Sequence, residues 1–137
     1  SDVCSSDLAA TWADGLAGIS MDLDTVKENA LFDVARESWS QAGKPAPHLA
    51  TSFWFGLGEP EVARDQVRRH LLRYMNWIPA DLVEAIAPTT GWSGSEDQLA
   101  EQLRAFEAIG CDEIHLIPTS SDVDQLRRAA EVAKDFA

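Results

Sequence analysis

Three short stretches carry the side chains that could do chemistry: Ser20–Met21, Trp54–Phe55–Gly56 and Thr119–Ser120, each following an apolar run. Rings such as Trp54 and Phe55 could stack against an apolar substrate, although aromatic residues at a strand end more often belong to the core. The hydroxyls of Thr119 and Ser120 could donate to a phosphate, although Ser and Thr ahead of a helix commonly serve only as caps. His115 lies inside an apolar run, where a satisfied buried imidazole is the ordinary role. His48 precedes such a run, and His70 sits among Arg64, Arg68, Arg69 and Arg73, which read as a solvated helix face. Cys111 has no basic neighbour in sequence to favour its thiolate and reads as structural. No metal-ligand spacing, phosphate-cradling glycine loop or nucleophile elbow occurs, so no catalytic residue can be named from motifs.

The elements that must position these residues follow from local signals. Ser95 and Gln98 stand at the two ends of a capping box, Leu99, Leu103 and Phe106 recur at helical spacing, and Gly110 supplies the left-handed stop. The apolar strand Ile114–Ile117 follows within a few residues, as in a covered parallel sheet. Asp122 then caps a last helix with the stripe Val123, Leu126, Ala130 and Ala133. Upstream, the end of a helix at Ala9–Ala13 leads through Asp14–Gly15 into a strand at Leu16–Ser20. Asp22 or Asp24 caps a helix with the stripe Val26, Ala30, Val34 and Trp39, ending at Gly43. A β-rich run, Leu49–Phe55, stops at Gly56 and Gly58. Pro60 opens a helix with the face Val62, Val67, Leu71 and Tyr74, and Pro79 a shorter one with Leu82, Val83 and Ile86. Pro88–Gly94 reads as a loop.

Strands alternating with helices imply an α/β fold of parallel strands joined by right-handed crossovers, each helix outside the sheet. Three βα units are legible, whereas a closed eight-stranded barrel needs about 250 residues. The expectation is therefore the end of a barrel or a small open sheet.

The ordered set WADG, PHLATSFWF, HLLRYMNWIPADLVEAI and GSEDQLAEQLRAFEAIGCDEIHLIP resembles the C-terminal portion of luciferase-like monooxygenases, over Ala9–Phe136. These are flavin- or deazaflavin-dependent oxidoreductases built on a (β/α)8 TIM barrel. The resemblance implies that the strands are the sixth, seventh and eighth of such a barrel. It also implies FMN or a deazaflavin as cofactor, a small organic substrate and a parent that can be a homodimer. Barrels react at the C-terminal ends of their strands, which makes Ser20, Met21, Trp54, Phe55, Gly56, Thr119 and Ser120 the expected pocket rim. The family's phosphate contacts fall mostly upstream of the WADG turn, where no residue of this chain can receive them. A non-catalytic flavin-binding or structural barrel relative, or a small standalone α/β interaction domain, are the alternative readings.

Composition sets the outer limits. A formal charge of -12 lacks the basic footprint that nucleic acid demands. No apolar run reaches membrane length, no signal peptide is visible and no disulfide framework can be argued, so the chain reads as cytoplasmic. Residues 1–8, SDVCSSDL, resemble the translation of a sequencing-library adapter. The expectation is that they are an artefact, that residues 9–137 are the domain portion, and that the source is a metagenomic bacterial fragment poorly folded or self-associating by itself.

Overall fold

The structure, a computed structural model, describes residues 2–136. In chain order the elements are α1 (Asp2–Ala10), β1 (Gly15–Ala17), α2 (Thr25–Gln41), β2 (His48–Leu57), α3 (Pro60–Tyr74), α4 (Ala80–Ile86), β3 (Trp92–Gly94), α5 (Glu96–Ala108), β4 (Glu113–Pro118) and α6 (Val123–Ala133). Short 3-10 turns follow α4 and α6.

The sheet is parallel throughout and centred on β2, which pairs with each of the other strands. In a parallel strand the amide and carbonyl of one residue point to the same edge, so alternate residues serve opposite neighbours. The even-numbered Ala50 and Ser52 accept from Gly18 and Ser20, and Gly58 donates to Gly94. The odd-numbered Leu49 and Phe55 accept from Asp112 and Thr119 on the other edge. β1 and β3 therefore lie end to end along one edge of β2, joined where Gly91 donates to Met21 O at 2.8 Å, and β4 runs along the other. β3 falls within the segment read from sequence as a loop. It is too short to carry a periodic signal.

Side chains alternate across the sheet with the same period of two. Leu49, Thr51, Phe53 and Phe55 share a face with Ile114 and Leu116, by the register Thr51↔Ile114 and Phe53↔Leu116. On this outer face Phe53, Phe55, Leu57 and Trp92 pack against Leu99, Leu103 and Phe106 of α5 and Ala129 of α6. Leu49 and Leu16 pack against Phe32, Ala35 and Trp39 of α2 and Ala10 of α1. Thr51 Oγ1 donates to the buried Glu28 Oε1 at 2.9 Å, a polar link from α2 into the same layer.

The opposite, inner face is treated differently. Its C-terminal half is covered by α3, whose Val67 and Leu71 pack with Met75, Val83 and Ala87 against Trp54. The expectation that every helix lies outside the sheet thus fails for α3. Pro60 and the Gly56–Gly58 turn swing it over the strand ends: Gly58 takes φ +146°, and a side chain at Gly56 would meet Ala63 O at 3.0 Å. The N-terminal half of that face stays open, with Ile19, His48, Glu113 and His115 exposed.

The caps read from sequence form as expected. Asp24, Ser95 and Asp122 each accept from backbone amides of the first turn, and Ser95 and Gln98 complete a reciprocal capping box. Two stripes do not. α2 buries Glu28, Phe32, Ala35, Ser38 and Trp39 while Val26 is 80% exposed. α6 buries Gln125 and Ala129 and leaves Val123 and Leu126 exposed. In both helices the sheet takes the face opposite most of the expected one, because apolar residues occur on two sides and only one side can reach the strands.

Candidate functional site

The feature with chemical potential is the cleft where α3 crosses the end of β4. Along α3, Ala63, Val67 and Leu71 face the sheet at spacings of four, so Gln66, Arg69, His70 and Arg73 share the neighbouring polar face. Across from them lies the turn between β4 and α6. Together Gln66, Arg69, His70, Arg73, Pro118, Thr119, Ser120 and Ser121 line an open cleft of about 490 Å³.

Its floor is fixed by hydrogen bonds. Thr119 Oγ1 donates to Phe55 O at 2.7 Å and accepts from Gln66 Nε2 at 2.9 Å, which ties β2, β4 and α3 at one point. Ser120 Oγ accepts from Asp122 N at 3.1 Å, and Asp122 in turn caps α6 through Asp124 N at 3.0 Å.

Behind His70 an aromatic series adjoins the cleft. Trp54, on the inner face, lies 6.0 Å from His70 and 5.4 Å from Tyr74, ring centre to ring centre. His70 stacks on Tyr74 at 5.8 Å and 15°, and Tyr74 meets Trp77 edge-on at 5.8 Å. The series runs from the buried sheet to solvent: Trp54 is 4% exposed, Tyr74 53% and Trp77 69%. Burial, with the Arg73 charge adding to it, pushes the His70 imidazole below its ordinary value, and its Nε2 is buried without a hydrogen-bond partner.

The cations differ in their engagement. Arg64 is not solvated: its guanidinium donates to Thr90 O at 2.8 Å and Gly91 O at 3.3 Å, holding the turn before β3. Arg68 and Arg69 share Asp65, and Arg68 also reaches Glu84. Among the described residues Arg73 makes no ion pair.

The expected rim residues are dispersed by this geometry. Trp54, Thr119 and Ser120 meet around the cleft, and Gly56 lies beneath α3. Met21 packs against the Trp54 cluster. Phe55 is fully buried on the outer face. Ser20 is 2% exposed, and its Oγ has no partner. His115 is exposed and pairs with Glu113 Oε1 at 2.7 Å, whereas a buried role was expected, because β4 is an edge strand among the described residues. Glu113 also takes His48 Nε2 at 2.9 Å, and these two imidazoles, His48 first, hold its carboxyl below the usual range. Sequence reasoning left Gln66 unnamed and put His70 and Arg73 on a solvated face. Their i, i+4 and i+7 spacing was the available signal. No group of His, Cys, Asp or Glu among the described residues is arranged to hold a metal ion. No helix among them is long and apolar enough to cross a membrane.

No protein-family model and no curated protein sequence matches the chain. Solved structures do match. An F420-dependent secondary alcohol dehydrogenase in complex with an F420-acetone adduct superposes with a TM-score of 0.71 at 15% identity, over 98% of this chain and 45% of that one. The monooxygenase RslO1 from Streptomyces bottropensis gives 0.65 at 14% identity, over 97% and 44%. MsnO8, in its apo form, gives 0.59 at 19% identity, over 96% and 48%. The chain thus spans less than half the length of each of these three proteins, and shares with that part of each a parallel α/β fold consistent with part of a TIM barrel.

Proposed function

We propose that the chain is the C-terminal part of a flavin- or deazaflavin-dependent oxidoreductase of the luciferase-like kind, acting on a small organic substrate. The observation that carries this reading is the superposition over 98% of the chain on a dehydrogenase described as F420-dependent. The monooxygenase RslO1 supports the same reaction class. On this reading the strands are the last three of the barrel, β3 extends the row of β1, and residues 1–8 do not belong to the domain.

The residues present fit one wall of such a cofactor site. Trp54 is covered by α3, and Tyr74 and Trp77 are the rings that keep an exposed surface at the strand ends. A flavin or deazaflavin, when bound, supplies the hydride or oxygen chemistry. The part of this chain is placement. Met21, Trp54 and Ile117 form an apolar backing that excludes water, and the Gln66–Thr119 bond holds α3 against the strand ends. His70 stays neutral around pH 7, since burial lowers its affinity for a proton. It could therefore accept or donate one hydrogen bond without carrying charge.

The test is to recover the gene around this sequence, express the open reading frame it belongs to, and titrate FMN and F420 by fluorescence. Saturable binding of one of them, with turnover of secondary alcohols or oxygen-dependent turnover of a small organic substrate, is the expected result. A well-folded product that binds neither cofactor would overturn the reading.

A further inference from the structure

The net charge of the chain is -12, yet the cleft between α3 and the β4–α6 turn is lined by two guanidinium groups, a neutral imidazole and no carboxylate. Several of its donors are uncommitted among the described residues. Arg73 makes no ion pair among the described residues, and His70 Nε2 is buried with no partner. Ser120 Oγ accepts from Asp122 N, which leaves its own O–H free to donate, and Ser121 has no side-chain bond. Arg69 is held by one oxygen of Asp65, whose other oxygen is taken by Arg68. Asp122, next in sequence to Ser121, is engaged as the cap of α6.

We propose that this cleft is an anion site that takes the phosphate group of a small molecule, with Arg73 and Arg69 on one side and the Ser120 and Ser121 hydroxyls on the other. Guanidinium groups are suited to charge-assisted, bidentate contacts with phosphate oxygens. Donors converging from two walls suit the three terminal oxygens of a monoester better than the two coplanar oxygens of a carboxylate. Gln66 and Thr119 are already bonded to each other and close the floor. Because His70 stacks on Tyr74 and Tyr74 meets the exposed Trp77, the site would anchor the charged end of a ligand whose apolar part lies along these two exposed rings.

The inference does not rest on the redox reading, since it needs only donors contained in this chain. It is tested by calorimetric titration of the 137-residue chain with inorganic phosphate and with glycerol phosphate at constant ionic strength. Saturable binding is expected. It should weaken about tenfold in Arg73→Gln and again in Ser121→Ala, each removing one charge-assisted or hydroxyl contact. It should be unchanged in Arg104→Gln, whose guanidinium lies instead over Phe136. Because Arg73 and Ser121 are exposed, the fold is expected to survive both changes, as checked by circular dichroism. FMN and riboflavin separate two sources of the phosphate. Weakening of FMN but not riboflavin by Arg73→Gln assigns the site to a cofactor phosphate, and equal behaviour of the two flavins assigns it to a substrate. Absence of saturable phosphate binding, or binding indifferent to Arg73→Gln and Ser121→Ala, overturns the proposal whatever the outcome of cofactor binding.

Discussion

Gln125 and Leu57 are paired as two strand residues would be: Leu57 N donates to Gln125 Oε1 at 2.9 Å, and Gln125 Nε2 donates to Leu57 O at 2.8 Å. β4 ends its pairing at Pro118, opposite Phe55, so the side-chain amide of a helix completes the ladder of β2 where the strand stops. Both polar groups of Leu57 are thereby satisfied inside the core. Gln125→Leu keeps the volume and orphans both, and a buried unsatisfied backbone group costs about 1–3 kcal/mol. The expected loss is about 2–4 kcal/mol, read as a lower urea midpoint with unchanged slope. A loss below about 0.5 kcal/mol would show that water reaches Leu57.

Gly15 and Gly43 separate two reasons for glycine. A Cβ at Gly15 would fall on His48 O of the paired strand, so Gly15→Ala must push β1 away from β2. Gly43 has φ +70° and open space where a Cβ would stand, so Gly43→Ala meets only backbone strain. The expected losses are about 1 kcal/mol at Gly43 and about 3 kcal/mol at Gly15. Equal losses in thermal melts would contradict the close pairing of β1.

His70 gives the chain an acid-sensitive element. Its folded-state pKa is lowered, by burial and then by Arg73, so the folded chain binds the proton less readily than the unfolded one. The sign follows: the contribution is intact above the ordinary imidazole value of about 6.5 and is lost as pH falls through the depressed folded value. Asp65 and Glu113, whose carboxyls are also lowered, lose their contributions only at more acidic pH. Melting temperature should therefore fall between about pH 7 and pH 5, and His70→Phe should flatten that interval. A decline retained in the variant would place the titrating group elsewhere.

Among the described residues β1 and β4 each pair only with β2, which leaves one unpaired edge on either side of the sheet. Ile19 is 45% exposed beside the open inner face. Exposed edges recruit further strands, so the isolated chain is expected to self-associate with rising concentration. Sedimentation velocity checks this, and a monomer at about 100 μM would rule the edges out as a driving force.

What the sequence by itself determined is local. Ser95 with Gln98, Asp24 and Asp122 mark helix starts because a side-chain oxygen reaching an amide two or three residues on needs no distant partner. The β-rich run from Leu49 announced the central strand for the same reason, and Gly110, at φ +82°, ended α5 where expected. What the tertiary structure decided is which face of each element is used. Val26 and Phe32 are both apolar residues of α2, and only the position of Leu49 and Ala10 selects Phe32 for burial. α3 shows a regular periodicity, but nothing local reveals that it crosses the inner face; the contacts of Val67 with Trp54 and of Gln66 with Thr119 do, the latter spanning 53 positions. The same crossing gathers His70, Arg73 and Ser120, which no motif links, into one cleft. Periodicity encodes how amphipathic a helix is, whereas the side of the sheet it covers depends on partners remote in the chain.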